Sequence, residues 1–208
     1  MVTSAMEQHS NRQSPAPYHH GDLRRSLLNA AEAILAEKGV GGFTLRECAR
    51  RAGVSPAAPS HHFGNVKGLL SVIATDGYDA LSAAMTSAAD ASDGSPNDRL
   101  RAIGRAYIAQ ALHFPGRFRV TFGQSNLDDQ DANLHRAAAA CFQILVDTVT
   151  AATQRDPMES TMMVWSVVHG FVSLILDRHT PFLNDCTPPH ETIDQMVEAL
   201  LDQCLRAL

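Results

Sequence analysis

The sequence has little of what builds a β-sheet. Aromatic residues occupy only 6% of its 208 positions, as three Tyr, eight Phe and one Trp, and runs of β-branched residues as long as a strand are scarce. Alanine, the residue with the highest helix propensity, is abundant instead. Hydrophobic residues make up 45% and charged residues 19%, a balance unlike that of a disordered chain. The composition therefore predicts an all-α globular protein.

Features of metal sites, disulfides and exported or membrane proteins are also scarce. The cysteines are widely spaced without a Cys-x-x-Cys pair, so we expect reduced thiols with no metal, disulfide or cofactor. The apolar stretch Phe171–Leu176 is far shorter than the ~20 residues of a membrane span, and residues 1–17 lack the apolar core of a signal peptide. We expect a disordered tail over residues 1–17, no membrane crossing and a cytoplasmic protein. The four cysteines are Cys48, Cys141, Cys186 and Cys204.

The charges are unevenly distributed along the chain. Residues 18–68 contain seven basic and four acidic side chains, which gives a net charge of +3. Residues 69–208 contain nine basic and 17 acidic side chains, which gives a net charge of −8. The first 17 residues are neutral overall, and the whole chain has a formal net charge of −5. A small basic segment before an acidic body favours a polyanion-binding head, although solvated helical faces carry similar charge.

The start of the chain contains two helix signals in succession. Apolar residues at helical spacing predict a first helix over Asp22–Lys38, with Gly39 placed to end it. Thr44 and Glu47 have the spacing of a capping box, in which each side chain accepts a hydrogen bond from the other residue's backbone amide. A second, short helix is therefore predicted from this point to about Ala52.

A third short helix follows after a tight turn. Gly53-Val54-Ser55 breaks the second helix, and Ser55 is the expected N-cap of a helix that begins at Pro56 and ends near Phe63. Two helices of two turns each, joined by a three-residue turn with a glycine, fit the helix-turn-helix motif, whose second helix enters the major groove of DNA.

The remaining residues, 66–208, are predicted to form a larger helical body without strands. The two long helices at its end carry more apolar surface than one small body needs, so we expect them to pair with a second copy of the chain in a homodimer. The predicted helices cover about 66–89, Asn97 or Asp98 to His113, 117–124, 128–155, 157–178 and 191–208.

Three segments around the predicted helix-turn-helix are distinctive: HHGDLRRSLLNAAEAILAEKG, FTLRECARRAGVS and HHFGNVKGLL. They lie between Tyr18 and about Leu81 and resemble the tetracycline-repressor (TetR) family of bacterial transcription regulators. The resemblance implies a helix-turn-helix DNA-binding domain over residues 18–65 and a helical ligand-binding and dimerisation domain over residues 66–208. It further implies a homodimeric repressor that a small-molecule effector releases from a palindromic double-stranded DNA operator.

The helix-turn-helix supplies the candidate DNA contacts. Small and polar residues of its second helix can approach base edges, whereas hydroxyls, helix-start amides and basic side chains, including Arg50 and Arg51, can meet phosphates. Lys67 opposes the dipole at the start of its helix, which an anion lying opposite would explain. Family members usually carry Tyr where this chain has Ser60, a shorter hydrogen-bonding side chain. The candidates are Thr44, Arg46, Ser55, Ala57, Ala58, Ser60, His61, His62 and Lys67.

Five residues of the body are candidate ligand contacts, although aromatic residues at helical spacing more often belong to a simple core. Trp165 with His169-Gly170 is similar to the Trp…His-Gly signature of one TetR subgroup. A buried histidine such as His169 is more often hydrogen-bonded in the core than bound to a ligand. The candidates are Tyr107, Phe118, Phe122, Trp165 and His169.

Two other function classes are the alternatives to a regulator. One is an all-α enzyme that uses His113, His135, His169 or an aspartate as acid or base, and the other is a helical protein-interaction adaptor. The sequence shows no nucleophile–base motif, Gly-rich phosphate loop or metal-ligand spacing that would support an enzyme. We therefore expect no catalytic residues.

Overall fold

A computed structural model describes residues 20–123, 127–176 and 190–208. Within these ranges the chain folds into helices without a β-strand, as predicted for an all-α protein. Four predicted features lie outside the described residues. They are the tail over residues 1–17, Cys186, and the predicted helix ends at Gln124 and Arg178. The helices are α1 (His20–Lys38), α2 (Leu45–Arg51), α3 (Ala58–Phe63), α4 (Val66–Asp90), α5 (Pro96–His113), α6 (Pro115–Phe122), α7 (Ala132–Ala152), α8 (Pro157–Leu176) and α9 (His190–Ala207), with a 3-10 turn at Val40–Gly42.

The first three helices pack around an apolar core that α4 completes. α1 buries Leu27, Ile34 and Leu35 on one face, because residues three or four positions apart share a side of a helix. Cys48 of α2 is fully buried against them, and its thiol donates a hydrogen bond to the Leu27 carbonyl at 3.2 Å. Burial raises the pKa of this thiol to about 11, so Cys48 is a neutral core residue near pH 7.

We call α1–α3 the head and the helices from α4 onwards the body. The core of the head continues into the body. Leu69, Leu70 and Ile73 from the first half of α4 lie in the head core, together with Val120 of α6 and Leu134 of α7. The second half of α4 packs instead with α5, α7, α8 and α9 around the larger core of the body. α4 is therefore shared by both parts, and a domain boundary at residues 65 and 66 stays a prediction.

Several predicted helix ends agree with the structure, but α6 begins at Pro115 rather than at residue 117, and α7, which Asp131 caps, spans Ala132–Ala152 rather than 128–155. Gly39 ends α1 at φ 66° and Gly53 makes the turn after α2 at φ 69°, backbone angles that strongly favour glycine. The predicted cap of α5 at Asn97 or Asp98 is wrong. Ser95 caps α5 in a capping box with Asp98, so the helix starts earlier, at Pro96.

The capping box predicted for α2 forms only by half. The Thr44 hydroxyl accepts the Glu47 amide at 3.2 Å. The Glu47 carboxylate does not return to Thr44, because it accepts hydrogen bonds from Arg50 at 2.8 Å and Arg51 at 3.0 Å. Two guanidinium partners replace a single backbone amide, and they lower the pKa of Glu47 to about 2.

One described helix, α8, is long and apolar enough to cross a membrane by length and composition alone. Within the most apolar 18-residue stretch of this helix, only 28% is buried in the structure. Large side chains such as Met158, Met162 and Leu174 are 51%, 43% and 59% exposed. An apolar helix with so much exposed surface has an unpartnered face in a single chain.

Candidate nucleic-acid interface and ligand cavity

The exposed face of α3 carries most of the predicted base contacts. Pro59 and Phe63 turn inwards and are buried, which fixes the opposite side of this short helix towards solvent. Ala57, Ser60 and His61 are exposed, whereas Ala58 and His62 are partly buried. The face is small and polar, so its backbone can approach the edges of base pairs.

The start of α3 differs from the predicted N-cap at Ser55. The Ser55 carbonyl, rather than its hydroxyl, closes the turn by accepting the Ala58 amide at 3.0 Å. The helix therefore begins at Ala58, with Ala57 as N-cap and Pro59 in the first turn, where a missing amide costs no helical hydrogen bond. Within the described ranges the exposed Ser55 hydroxyl has no hydrogen-bond partner, so it is available to a phosphate.

Three predicted phosphate contacts also keep available donors. Thr44 is exposed and uses its hydroxyl oxygen as an acceptor for the Glu47 amide, which leaves the hydroxyl proton to donate outwards. Arg46 and Lys67 are exposed and form no ion pair with any described residue. Lys67 lies in the first turn of α4, which contains no acidic residue to offset its charge against the helix dipole.

Arg51 has a different role from the one expected. Its guanidinium pairs with Glu37 of α1 at 2.6 Å and with Glu47 of α2 at 3.0 Å, and its side chain is only 22% exposed. Arg51 therefore fastens α2 to α1 rather than facing DNA. Arg50 is 71% exposed but bound to Glu47, so it reaches a phosphate only by giving up or sharing that carboxylate.

The body contains a cavity of about 290 Å³, just below the ~300–1,000 Å³ range of ligand sites. Six helices contribute to it, and almost all of its wall is apolar. The lining residues are Tyr78 and Met85 of α4, Leu100, Arg101, Ile103, Gly104 and Tyr107 of α5, Phe122 of α6, Ala138, Cys141, Phe142 and Leu145 of α7, Val164, Trp165 and Val168 of α8, and Leu201, Cys204 and Leu205 of α9.

Three of the five predicted ligand contacts, Tyr107, Phe122 and Trp165, line this cavity. Phe118 and His169 do not line it, but they form an aromatic cluster behind it. The His169 ring centroid lies 5.4 Å from Phe118 and 5.0 Å from Phe122, and its Nδ1 forms a 2.7 Å hydrogen bond with the Tyr107 hydroxyl. Burial lowers the pKa of His169, which favours the neutral ring of a hydrogen-bonded core histidine.

The sequence alone did not select most of the cavity wall. Tyr78 and Arg101 were missed, as were Ala138, Cys141 and Leu145 of α7 and the side chains that α9 contributes. The apolar faces of these helices are visible in the sequence at helical spacing. That pattern predicts burial, and it does not distinguish a packed core from a cavity wall.

α6 joins the cavity to the DNA-facing head. Phe122 of α6 lines the cavity, and Arg117 on the same helix pairs with Glu32 of α1 at 2.6 Å. Gly116 packs directly on the α1 backbone, where an added Cβ would lie 2.8 Å from the Ala36 nitrogen. At Gly116 the backbones of α6 and α1 therefore lie in direct contact, without a side chain of this residue between them.

Two family models match the chain. A model described as bacterial regulatory proteins of the tetR family matches residues 27–73, and a model described as the tetracyclin repressor-like C-terminal domain matches residues 100–202. The matched segments contain the helix-turn-helix and most of the cavity wall, respectively.

Curated relatives match over part of their length. The HTH-type transcriptional regulator BetI of Rhizobium meliloti (strain 1021) is 32% identical over 90 residues, and BetI of Burkholderia mallei (strain NCTC 10229) is 36% identical over 83 residues. Each match covers 39% of this chain, and the chain spans only 40% and 43% of these two relatives.

Solved structures match over nearly the whole chain. A protein of unknown function from Rhodococcus sp. RHA1 has a TM-score of 0.76 and 31% identity, and the match covers 92% of this chain and 98% of that one. The TetR family transcriptional regulator PfmR from Thermus thermophilus has a TM-score of 0.68 over 86% of this chain and 97% of its own. At 21% identity, the second match shows a shared fold only.

Proposed function

Because the chain belongs to the tetracycline-repressor family of bacterial regulatory proteins, we propose that it is a transcription regulator that binds an operator through α2 and α3. The observation that carries this proposal is the small, polar and exposed face of α3, flanked by free donors at the starts of α2 and α4. Ala57, Ala58, Ser60 and His61 would read base edges, and His62 would lie at the edge of the groove. Thr44, Arg46, Ser55 and Lys67 would position the head on phosphates.

The body acts as the sensor in this proposal, and the protein is a repressor. A small molecule in the cavity would press on Phe122 and move α6 against α1, which changes the orientation of the head. A ligand that favours a conformation with displaced heads lowers operator affinity without touching α3. We also propose that the body belongs to the TetR subgroup whose Trp…His-Gly signature is similar to Trp165 and His169-Gly170.

The exposed apolar faces of α8 and α9 form the dimer interface in this proposal. Met162, Val167 and Leu174 of α8 and Met196 of α9 are each at least 36% exposed in the single chain. A two-fold axis through these helices would bury them and place two heads about 34–36 Å apart, one turn of DNA. The operator is then close to palindromic, and the protein works in the cytoplasm, where a bacterial operator is found.

Gel retardation with a fragment from beside the protein's own gene tests the proposal. Two subunits should bind one near-palindromic site, and excess unrelated DNA should not displace them at physiological salt. Purified protein that binds the fragment no better than unrelated DNA, over all flanking fragments, would overturn the proposal. An enzyme or an adaptor would give that negative result. Within the described residues no group of three or more His, Cys, Asp or Glu side chains is placed to hold a metal ion.

A further inference from the structure

The charged part of the cavity wall is already neutralised by the protein. Among the described residues that line the cavity, Arg101 is the only Lys, Arg, Asp or Glu. Its guanidinium pairs with Glu198 at 3.3 Å and with Asp202, while Arg105 pairs with Glu198 at 2.6 Å. Two guanidinium groups of α5 thus balance two carboxylates of α9. A ligand carboxylate would have to displace one of these partners, and a ligand ammonium would find no free carboxylate in the wall.

The rest of the wall offers hydrophobic contact to a ring or chain. Phe142 and Trp165 pack together with ring centroids 5.7 Å apart, and aliphatic side chains of α5, α8 and α9 complete the wall. A strongly hydrated charged group, such as a carboxylate, a sulfonate or a primary ammonium, loses its hydration when it enters such a wall and finds no free ion-pair partner among the described lining residues. The wall therefore selects against strongly hydrated charged groups.

The neutral polar side chains of the wall include Tyr78, Tyr107 and Cys141. The Tyr107 hydroxyl is occupied by His169, and Cys141 is a buried free thiol. Burial raises the pKa of Tyr78 and Tyr107, and it raises the pKa of Cys141 to about 11, so all three groups are neutral near pH 7. The Tyr78 hydroxyl makes no hydrogen bond with any residue that the structure describes. Among the hydroxyls of the described wall, it is the one left to bind a polar atom of a ligand.

We propose that the cavity binds an uncharged, mainly apolar ring compound that makes one hydrogen bond to the Tyr78 hydroxyl. This inference rests on the proposed sensor function, since it names the chemical class of the effector. It follows from three features: a neutralised Arg101, an apolar wall from six helices and one wall hydroxyl without a partner among the described residues. Carboxylic acids and sulfonates are excluded by the same features.

Two dyes that differ by one charge test the exclusion of charge. N-phenyl-1-naphthylamine is neutral, and 8-anilino-1-naphthalenesulfonate has the same rings with a sulfonate added. Trp165 is the only tryptophan of the chain and lines the cavity, so quenching of its fluorescence reports occupancy. We expect saturable binding of the neutral dye at one site per subunit and at least about a hundredfold weaker binding of the sulfonate.

A pair of alanine variants locates the binding. Ala138 lines the cavity, whereas Ala139 is exposed on the same helix and does not line it. Ala138→Leu should abolish dye binding, and Ala139→Leu should leave it unchanged, with circular dichroism to show that both variants fold. Equal affinity for the two dyes, or equal affinity of the two variants for the neutral dye, would overturn the proposal. So would the absence of saturable binding for both the neutral dye and the smaller 1-naphthol.

Tyr78→Phe tests the hydrogen bond. The variant should bind 1-naphthol about 2- to 10-fold more weakly and bind naphthalene with unchanged affinity, since only 1-naphthol carries a hydroxyl. An equal change for both compounds would refute the role of Tyr78. Operator binding is measured separately. If the protein binds no operator, the regulator function is refuted. If the protein binds an operator and only a charged compound releases it, the proposed ligand class alone is refuted.

Discussion

Gly116→Ala perturbs the contact between α1 and α6, where the head meets the body. A Cβ at Gly116 would lie 2.8 Å from the Ala36 nitrogen, 3.0 Å from Ala36 Cα and 3.1 Å from the Leu35 carbonyl carbon. Carbon atoms prefer a separation of about 3.5–4.0 Å, so the two helices must separate by roughly 0.5–1 Å. All three neighbours are backbone atoms, and therefore no side-chain rotation can relieve the overlap.

The expected loss of stability follows from two opposing effects. Overpacking of this kind costs about 1–3 kcal/mol, whereas replacing glycine by alanine inside a helix contributes about 0.5–1 kcal/mol of stability. The net expectation for Gly116→Ala is a decrease of roughly 0.5–2 kcal/mol in the free energy of unfolding, measured by urea denaturation. Operator affinity, measured by fluorescence anisotropy, should fall as well, because the head is displaced from the body.

Gly41→Ala is the matched control for this substitution. An added Cβ at Gly41 meets no atom within 4 Å, and the residue does not have a positive φ. Its free energy of unfolding should change by no more than about 0.5 kcal/mol, and operator affinity should be unchanged. If Gly116→Ala is as stable as the wild type and binds the operator equally well, the α1–α6 contact does not couple head to body.

Further predictions concern the head, the acid stability and the dimer. Lys67→Ala should weaken binding to all duplexes and reduce the slope of log affinity against log salt by about one, and an unchanged slope would contradict a phosphate contact. His61→Ala should change the preferred operator base with an unchanged thermal melting curve, whereas an unfolded head would show that His61 is structural. The pKa of Glu47 is lowered from its ordinary 4.5 to about 2, so stability from its ion pairs is present above about pH 4.5 and is lost as the pH falls towards 2. Glu47→Gln should reduce this acid dependence in urea titrations between about pH 2 and 5, and an identical pH profile would refute it. Leu174→Glu should give a folded monomer in light scattering, and a dimer of wild-type strength would place the interface elsewhere.

The helices could be predicted because their signals are local. Gly39 and Gly53 mark turns that require a positive φ, and the apolar face of α1 repeats at helical spacing. The errors occurred where a second nearby group competed for the same partner. Glu47 has the right spacing for a capping box, but the guanidinium groups of Arg50 and Arg51 on its own helix bind its carboxylate.

The candidate site could be predicted less completely than the helices. Phe118 and Phe122 are one turn apart on α6, yet only Phe122 lines the main cavity. Which ring reaches the cavity depends on how α4, α5 and α8 pack around α6, and these helices are distant in sequence. The same applies to Tyr78, whose hydroxyl has no hydrogen-bond partner among the described residues and is proposed for that reason to bind the ligand.

α8 connects the two proposed functions of the body in one element. Val164 and Val168 on its buried side line the cavity, whereas Met162 and Leu174 are exposed on the sides proposed to meet a second copy. A helix that is apolar all round passes a composition test for a membrane span, but a helix between a cavity and a dimer partner needs the same composition. Because one rigid helix borders both surfaces, a ligand that moves it also changes how the two subunits pair, and pairing changes ligand affinity by the same factor. A monomeric Leu174→Glu variant would keep the cavity wall and lose this coupling.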